Sequence, residues 1–135
     1  MKWRVFAAMS VVTCVVGNNV MSGVAPGDSA PAPVFEHVMP GCPVNVNDWS
    51  TLAGKAIVLE FWATWCAPCV QNIPRLNRLI EELKDEEVVF LSVTDEEPDK
   101  VDYFLRSMPI EACSVIDSDG SVFDAYGISS RPTTV

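Results

Sequence analysis

The chain has 135 residues, which is enough for one domain and too short for two. Hydrophobic residues make up 49% of the sequence, so it can form a packed core, and 18 acidic residues against nine basic ones give a net charge of −9. Because the sequence has no basic stripe or cluster, it argues against a nucleic-acid partner.

Residues 1–25 have the features of an export signal. Lys2 and Arg4 precede an apolar stretch over 5–16, and small residues at 23–25 offer a cleavage site. Two alternatives are an uncleaved membrane anchor and lipidation at Cys14, and the membrane contact that we predict is the one through an uncleaved N-terminal segment. Residues 26–32 are rich in Gly, Ser, Ala and Pro and predict a flexible linker before an ordered domain over 33–135. We therefore expect an exported protein, periplasmic or otherwise extracytoplasmic.

The first half of this domain is predicted to contain two strand regions and a long helix. Residues 34–46 are expected to form a short β-hairpin, and 48–52 a helical turn. A continuous apolar run over 56–62 predicts a strand buried on both faces, with Glu60 as its single charge. From residue 66 to residue 83 the apolar period becomes helical.

The second half continues the alternation of helices and strands. Pro74 lies inside the long helical pattern and is expected to kink it. The acidic run 95–97 is interpreted as solvated loop or helix end. The predicted elements are a strand over 88–93, a helix from Pro98 and a strand over 113–116. They are followed by a turn over 117–120, a short helix over 122–126 and a last strand over 131–135. This alternation predicts an α/β sandwich with a partly parallel sheet.

A pair of cysteines separated by two residues, Cys66 and Cys69, follows the first buried strand directly. A helix that starts there presents its N-terminal dipole and free N–H groups to Cys66, which favours the nucleophilic thiolate. A structural disulfide or half of a zinc site are the alternatives. A zinc site normally recruits a second ligand pair, whereas this chain has a single histidine, His37, and no second pair with this spacing. We predict no metal site.

Two further cysteines, Cys42 and Cys113, leave two interpretations open. In an exported protein they are candidates for a disulfide. Alternatively, each is a small buried hydrophobe or a free thiol. Nothing in the sequence itself brings the two residues together.

Over roughly 33–135 the chain resembles the thioredoxin superfamily, and within it the exported TlpA/ResA-like thiol–disulfide oxidoreductases. The residues that carry this resemblance are 61–69, Pro74 and 131–134. It implies a thioredoxin-like three-layer α/β/α sandwich with an N-terminal β-hairpin extension. The family continues past this point with further strand and a final helix, so the resemblance implies a C-terminally incomplete domain with an exposed apolar sheet edge.

The resemblance also implies a site. Cys66 is similar to the nucleophilic cysteine and Cys69 to the resolving, more buried one, so that the two form a redox-active disulfide. Pro132 matches the family's cis-proline, which places the backbone before it beside Cys66. The implied substrate-binding residues are Trp65, Ala67, Pro68, Arg131 and Pro132.

Two charged residues near this site have competing interpretations. Glu60 matches a buried acid of the family that exchanges a proton with Cys69, and burial should raise the pKa of such a carboxyl. The alternative is a strand-end carboxylate that reaches solvent or pairs with Lys55 or Lys84. The guanidinium of Arg131 either points at Cys66, where it would stabilise the thiolate, or points to solvent.

By resemblance, the function is that of a protein-disulfide reductase or oxidoreductase that needs no cofactor. Its implied partners are exported proteins with cysteine pairs, such as apocytochrome c or copper-site precursors, and a membrane or soluble thiol reductant. The main alternative is a thioredoxin-like binding module with an inert disulfide. A metal-delivery protein is disfavoured by the cysteine spacing, and a peroxide-reducing relative by the lack of proline between Pro43 and Pro68.

Overall fold

A five-stranded mixed sheet lies at the centre of the computed structural model, which describes residues 23–135. All but the last three residues of the predicted export signal lie outside this range. The strands are β1 (His37–Val38), β2 (Ala56–Phe61), β3 (Val88–Thr94), β4 (Cys113–Ile116) and β5 (Thr133–Thr134). Their order in the sheet is β1-β4-β3-β2-β5. The central strands β2, β3 and β4 are parallel, and both edge strands are antiparallel to their neighbours.

The helices occur where the sequence predicts them. They are a short 3-10 helix (Trp49–Leu52), α1 (Ala67–Glu82), α2 (Pro98–Ser107) and α3 (Ser121–Ala125). α1 continues through Pro74 as a single helix. Within residues 23–135, no helix combines the length and the apolar character that crossing a membrane requires.

The two faces of the sheet carry different side chains because successive strand residues point to opposite sides. One face is apolar and packs against α3. Its buried cluster includes Leu59, Phe61, Leu91, Val93, Cys113, Val115, Val122, Phe123 and Tyr126. Phe61 and Phe123 meet edge to face, with ring centroids 4.9 Å apart.

The opposite face carries α1 and α2 and contains buried polar side chains. Glu60 is aligned with Ser92 across the β2–β3 pair, and the Ser92 hydroxyl lies 2.8 Å from that of Ser114 on β4. Trp62 packs there against Phe104 of α2, with ring centroids 5.4 Å apart. The two helical layers on either side of the sheet confirm the predicted α/β/α sandwich.

The predicted hairpin over 34–46 is not formed. The only strand in this region is β1, and it pairs with β4, His37 opposite Ile116 and Val38 opposite Val115. The chain beyond β1 contains Pro40 and Pro43, which lack the N–H groups that a second hairpin strand would have to donate.

A disulfide between Cys42 and Cys113 fixes this segment to β4. The Met39 N–H also donates to the Ser114 carbonyl, at 2.9 Å. Of the two interpretations that the sequence left open for these cysteines, the structure has the paired one.

Residues 26–32, predicted as a linker, contain neither helix nor strand. They nevertheless contact the domain, because the Tyr126 hydroxyl donates to the Pro31 carbonyl at 2.7 Å. Val24 also packs against the apolar cluster beneath α3.

Candidate active site

Cys66 and Cys69 form a second disulfide at the junction between β2 and α1, with their Cα atoms 5.2 Å apart. Cys66 is the N-cap of α1, and the Cys69 backbone N–H donates to its Sγ at 3.3 Å. Pro68 occupies the first turn of the helix, where a missing N–H costs no helical hydrogen bond. The sequence therefore places the Cys66 sulfur against the positive end of α1.

Burial does not distinguish the two cysteines. The resemblance implies that Cys69 is the more buried one, but each is only 4% exposed in this oxidised form. Exposed residues adjoin both cysteines in the chain, since Trp65 is 64% exposed and Ala67 and Pro68 also lie at the surface. The difference between the two sulfurs lies in the capping geometry, since Cys66 Sγ accepts from the Cys69 N–H at the N-terminus of α1.

Glu60 is a buried residue of β2, only 7% exposed. Burial raises the pKa of its carboxyl, and a hydrogen bond from the Thr134 hydroxyl offsets part of this effect. Glu60 and Cys69 line the same small cavity of about 10 Å³, together with Trp62 and Ser92. A volume of roughly 10 Å³ is the least that accommodates one water molecule.

The alternative ion pairs of Glu60 are not formed. Lys55 pairs with Glu87 and Lys84 pairs with Glu81, each at 2.5 Å. The carboxyl is therefore buried beside Cys69 with a hydroxyl as its partner.

Arg131 adopts neither of the orientations that the sequence left open. Its guanidinium forms an ion pair with Asp95 and lies over two aromatic rings, 4.5 Å from the centroid of Phe123 and 5.3 Å from that of Trp65. Its side chain is 16% exposed. The positive charge is therefore matched by a carboxylate beside the redox site.

The Arg131–Pro132 peptide bond is cis, as the resemblance implies. This bond immediately precedes β5, which is hydrogen-bonded to β2. Trp65 and Arg131 also line a surface pocket of about 110 Å³ with Phe123 and the residues 128–130. The structure thus brings these two predicted substrate-binding residues together.

Glu96 is buried, although the acidic run 95–97 predicts exposure to solvent. It is 8% exposed and accepts hydrogen bonds from the backbone N–H and the hydroxyl of Thr64, at 2.6 and 2.8 Å. Lys100 lies 2.5 Å from its carboxylate. Burial by itself would raise the pKa of Glu96, but the bonds from Lys100 and Thr64 outweigh it, so the pKa lies below its usual value. Its position at the end of a buried parallel strand was the signal available in the sequence.

Among residues 23–135, no group of three or more His, Cys, Asp or Glu side chains is arranged to hold a metal ion.

A Cys-x-x-Cys disulfide that caps a helix, together with a cis-proline just before an edge strand of a mixed sheet with helices on both faces, defines a thioredoxin-like protein. The comparison with protein families agrees, since the AhpC/TSA family matches residues 26–135. The chain belongs to this thioredoxin-like family, and its predicted resemblance to the ResA-like members is confirmed.

Two relatives and one solved structure illustrate the similarity. The thiol-disulfide oxidoreductase ResA of Bacillus subtilis is 33% identical over 132 residues, which are 92% of this chain and 72% of that protein. ResA of Halalkalibacterium halodurans is 39% identical over 89 residues, 62% of this chain and 48% of that protein. The crystal structure of StoA from Bacillus subtilis matches with a TM-score of 0.54 and 26% identity, and the match covers 60% of this chain and 63% of that one. The chain thus spans about half of one ResA relative and under three quarters of the other.

Proposed function

We propose that this protein is a thiol–disulfide oxidoreductase that works through a dithiol–disulfide cycle of Cys66 and Cys69. The observation that carries the proposal is the capping geometry, in which the Cys69 N–H donates to Cys66 Sγ at the N-terminus of α1. A helix N-terminus lowers the pKa of a cysteine there and keeps its sulfur in the reactive thiolate form. The relatives named ResA bear the same activity in their names.

The cycle follows from this assignment. In the reduced protein the Cys66 thiolate attacks one sulfur of a partner disulfide, forming a mixed disulfide and releasing a partner thiolate. The Cys69 thiol loses its proton and attacks Cys66 Sγ, which restores the Cys66–Cys69 disulfide and releases the second partner thiolate. Two electrons pass to the partner, and a separate dithiol reductant returns the site to its reduced form.

Glu60 is the proposed proton acceptor for Cys69. A carboxyl whose pKa is raised by burial is closer to a thiol in proton affinity than an exposed one. The cavity that both residues line has the volume of about one water molecule, which offers a path for the proton. Protonated Glu60 then returns the proton when the disulfide is reduced again.

The surface around the disulfide is the proposed substrate site. Trp65, Ala67, Pro68 and Pro132 are exposed, whereas both cysteines are buried, and the Arg131 guanidinium lies over the Trp65 ring. An extended substrate segment would contact this surface while its cysteine reaches Cys66. We assign protein substrates with cysteine pairs on the basis of the family.

Export is part of the same proposal. The basic and apolar pattern of residues 1–25 is that of an export signal, with a membrane anchor as its alternative. Two disulfides within one small domain also match an oxidising compartment outside the cytoplasm.

Insulin reduction driven by dithiothreitol tests the proposed activity. The wild-type protein should accelerate insulin precipitation, and Cys66→Ser should abolish the effect. Reduced Cys69→Ser, mixed with insulin after the dithiothreitol has been removed, should accumulate a mixed disulfide that is visible by mass spectrometry. A Cys42→Ala/Cys113→Ala variant, assayed at a temperature where it is still folded, is the matched control, because it removes the other disulfide and leaves the Cys66–Cys69 pair intact. Wild-type protein that gives no acceleration and no mixed disulfide would identify a binding module with an inert disulfide.

A further inference from the structure

Two consecutive carboxylates at the end of β3 reach the two segments that flank the redox-active disulfide. The first contact is made by Glu96, whose Oε2 accepts from the Thr64 N–H at 2.6 Å and whose Oε1 accepts from the Thr64 hydroxyl at 2.8 Å. Thr64 lies two residues before Cys66. Glu96 therefore fixes both the backbone and the side chain of the segment that carries the attacking sulfur.

The surroundings of Glu96 hold it in its charged form. The residue is 8% exposed, and Lys100 lies 2.5 Å from Oε1. The hydroxyl of Thr94 also donates to Oε2, at 3.3 Å. Because a buried carboxylate is costly unless it is paired and hydrogen-bonded, this set of partners makes the contact to Thr64 well defined.

The second contact is made by Asp95 with the segment that precedes Pro132. Its carboxylate pairs with the Arg131 guanidinium, and Arg131 immediately precedes Pro132. The same guanidinium lies 5.3 Å from the ring centroid of Trp65. Asp95 thus holds the Pro132 segment and, through Arg131, supports the exposed ring next to Cys66.

We propose that Asp95 and Glu96 are positioning residues for thiol–disulfide exchange. Glu96 holds the segment that precedes Cys66, and Asp95 holds the segment that precedes Pro132. Both segments are therefore fixed relative to the end of β3. This inference rests on the proposed function. It assigns no chemical step to either carboxylate, and it accounts for a buried acid that the exchange reaction does not use.

The decisive comparison is between Glu96→Gln and Glu96→Ala. Both variants remove the negative charge. Glutamine keeps a carbonyl that accepts from the Thr64 N–H and an amide that donates to the Thr64 hydroxyl oxygen, whereas alanine keeps neither. The difference between the two variants therefore measures the tether separately from the charge. Glu97→Ala is the matched control, since Glu97 is an exposed neighbour without a side-chain cap hydrogen bond.

Two readouts report on positioning. One is the rate of insulin reduction at saturating insulin, and the other is the pH profile of Cys66 alkylation by iodoacetamide in the reduced protein. Glu96→Ala should lower the first about tenfold, as expected for a modest misplacement of reacting groups, and should displace the alkylation profile. Glu96→Gln should stay within about twofold of wild type, and Glu97→Ala should match wild type.

Asp95→Ala should act differently, because Arg131 and Trp65 belong to the proposed substrate surface. It should raise the KM for insulin about fivefold, as for loss of one moderate interface contact, with little change in the rate at saturating insulin.

The inference is overturned if Glu96→Gln and Glu96→Ala give equal changes, which would identify charge as the cause. It is also overturned if Glu96→Ala lowers only the unfolding midpoint and leaves both readouts unchanged. If Glu96→Ala does not fold, Thr64→Val replaces it, because this variant removes only the hydroxyl contact and should give a smaller change in the same direction. Wild-type protein that fails to reduce insulin refutes the proposed function, whereas the alkylation profiles still test the positioning.

Discussion

Reducing the Cys42–Cys113 disulfide should lower the free energy of unfolding by about 4 kcal/mol at 25 °C. The two cysteines are 71 residues apart in the sequence. For a loop of this length, the chain-entropy relation gives an unfolded-state entropy loss of about 15 cal/mol/K, which corresponds to that value. Since single domains are stable by about 5–15 kcal/mol, the bond supplies a large share of the total.

The local structure explains why this segment needs a covalent link. β1 contributes two residues to the sheet edge, and the Met39 N–H adds one bond to β4. Few backbone bonds therefore hold the segment before Pro43 on β4. Reduction should release this segment from β4 before the central strands unfold.

The measurement uses a Cys66→Ala/Cys69→Ala variant, in which the Cys42–Cys113 bond is the one remaining disulfide among the described residues. Its oxidised and dithiothreitol-reduced forms have the same side chains, so their difference in urea denaturation reports the bond with little change in packing. With a slope of about 2 kcal/mol/M, the midpoints should differ by roughly 2 M. A difference in free energy below about 1 kcal/mol would refute the chain-entropy argument.

Three further predictions concern single side chains. Burial raises the pKa of Glu60 above its usual 4.5, so between the two pKa values the folded protein retains a proton that the unfolded chain releases, and stability falls as the pH rises from about 4.5 through the folded-state pKa. Glu60→Gln should therefore be more stable than wild type in urea denaturation at pH 7, and its stability should depend less on pH. The variant should also reduce insulin more slowly, and equal stability of the two proteins at pH 7 would contradict the argument. The charge of the Arg131 guanidinium is already matched by the Asp95 carboxylate. Arg131→Met should therefore shift the potential of the redox-active disulfide by less than about 15 mV, roughly 0.7 kcal/mol. A larger shift would show that Arg131 stabilises the Cys66 thiolate directly. The buried Asp117 carboxylate accepts from the N–H groups of Val122 and Phe123 at 3.0 and 2.9 Å, so Asp117→Ala should cost about 2 kcal/mol in thermal unfolding, and an unchanged midpoint would show that α3 needs no cap.

The regular elements were largely predictable because each follows from a local pattern. The apolar runs predicted β2 and β3 to within one residue at either end, and α2 begins at Pro98 as expected. The Cys66–Cys69 spacing and its place after a strand identified the redox pair without any knowledge of tertiary structure. Pro132 required the resemblance, since its cis bond leaves no signal in the residues alone.

The errors concern contacts between distant parts of the chain. The hairpin over 34–46 was wrong because β1 finds its partner in β4, more than 70 residues away. Glu96 was assigned to solvent because an acidic run usually is exposed, whereas its actual partner is Thr64 on another loop. Arg131 was considered in relation to Cys66 and solvent, and its pairing with Asp95 depends on how β3 and the Pro132 segment meet. None of these pairings has a local sequence pattern.

A redox titration of the oxidised protein in glutathione and dithiothreitol buffers, with thiol trapping and peptide mass spectrometry to identify each cysteine, tests the proposed cycle most directly. Cys66 and Cys69 should be reduced together in a two-electron step at a potential above about −300 mV. Cys42 and Cys113 should remain oxidised under the same conditions, as expected of a structural disulfide. The proposed cycle would be contradicted if the Cys66–Cys69 bond were still oxidised at potentials more negative than about −300 mV, or if it were reduced only together with Cys42–Cys113.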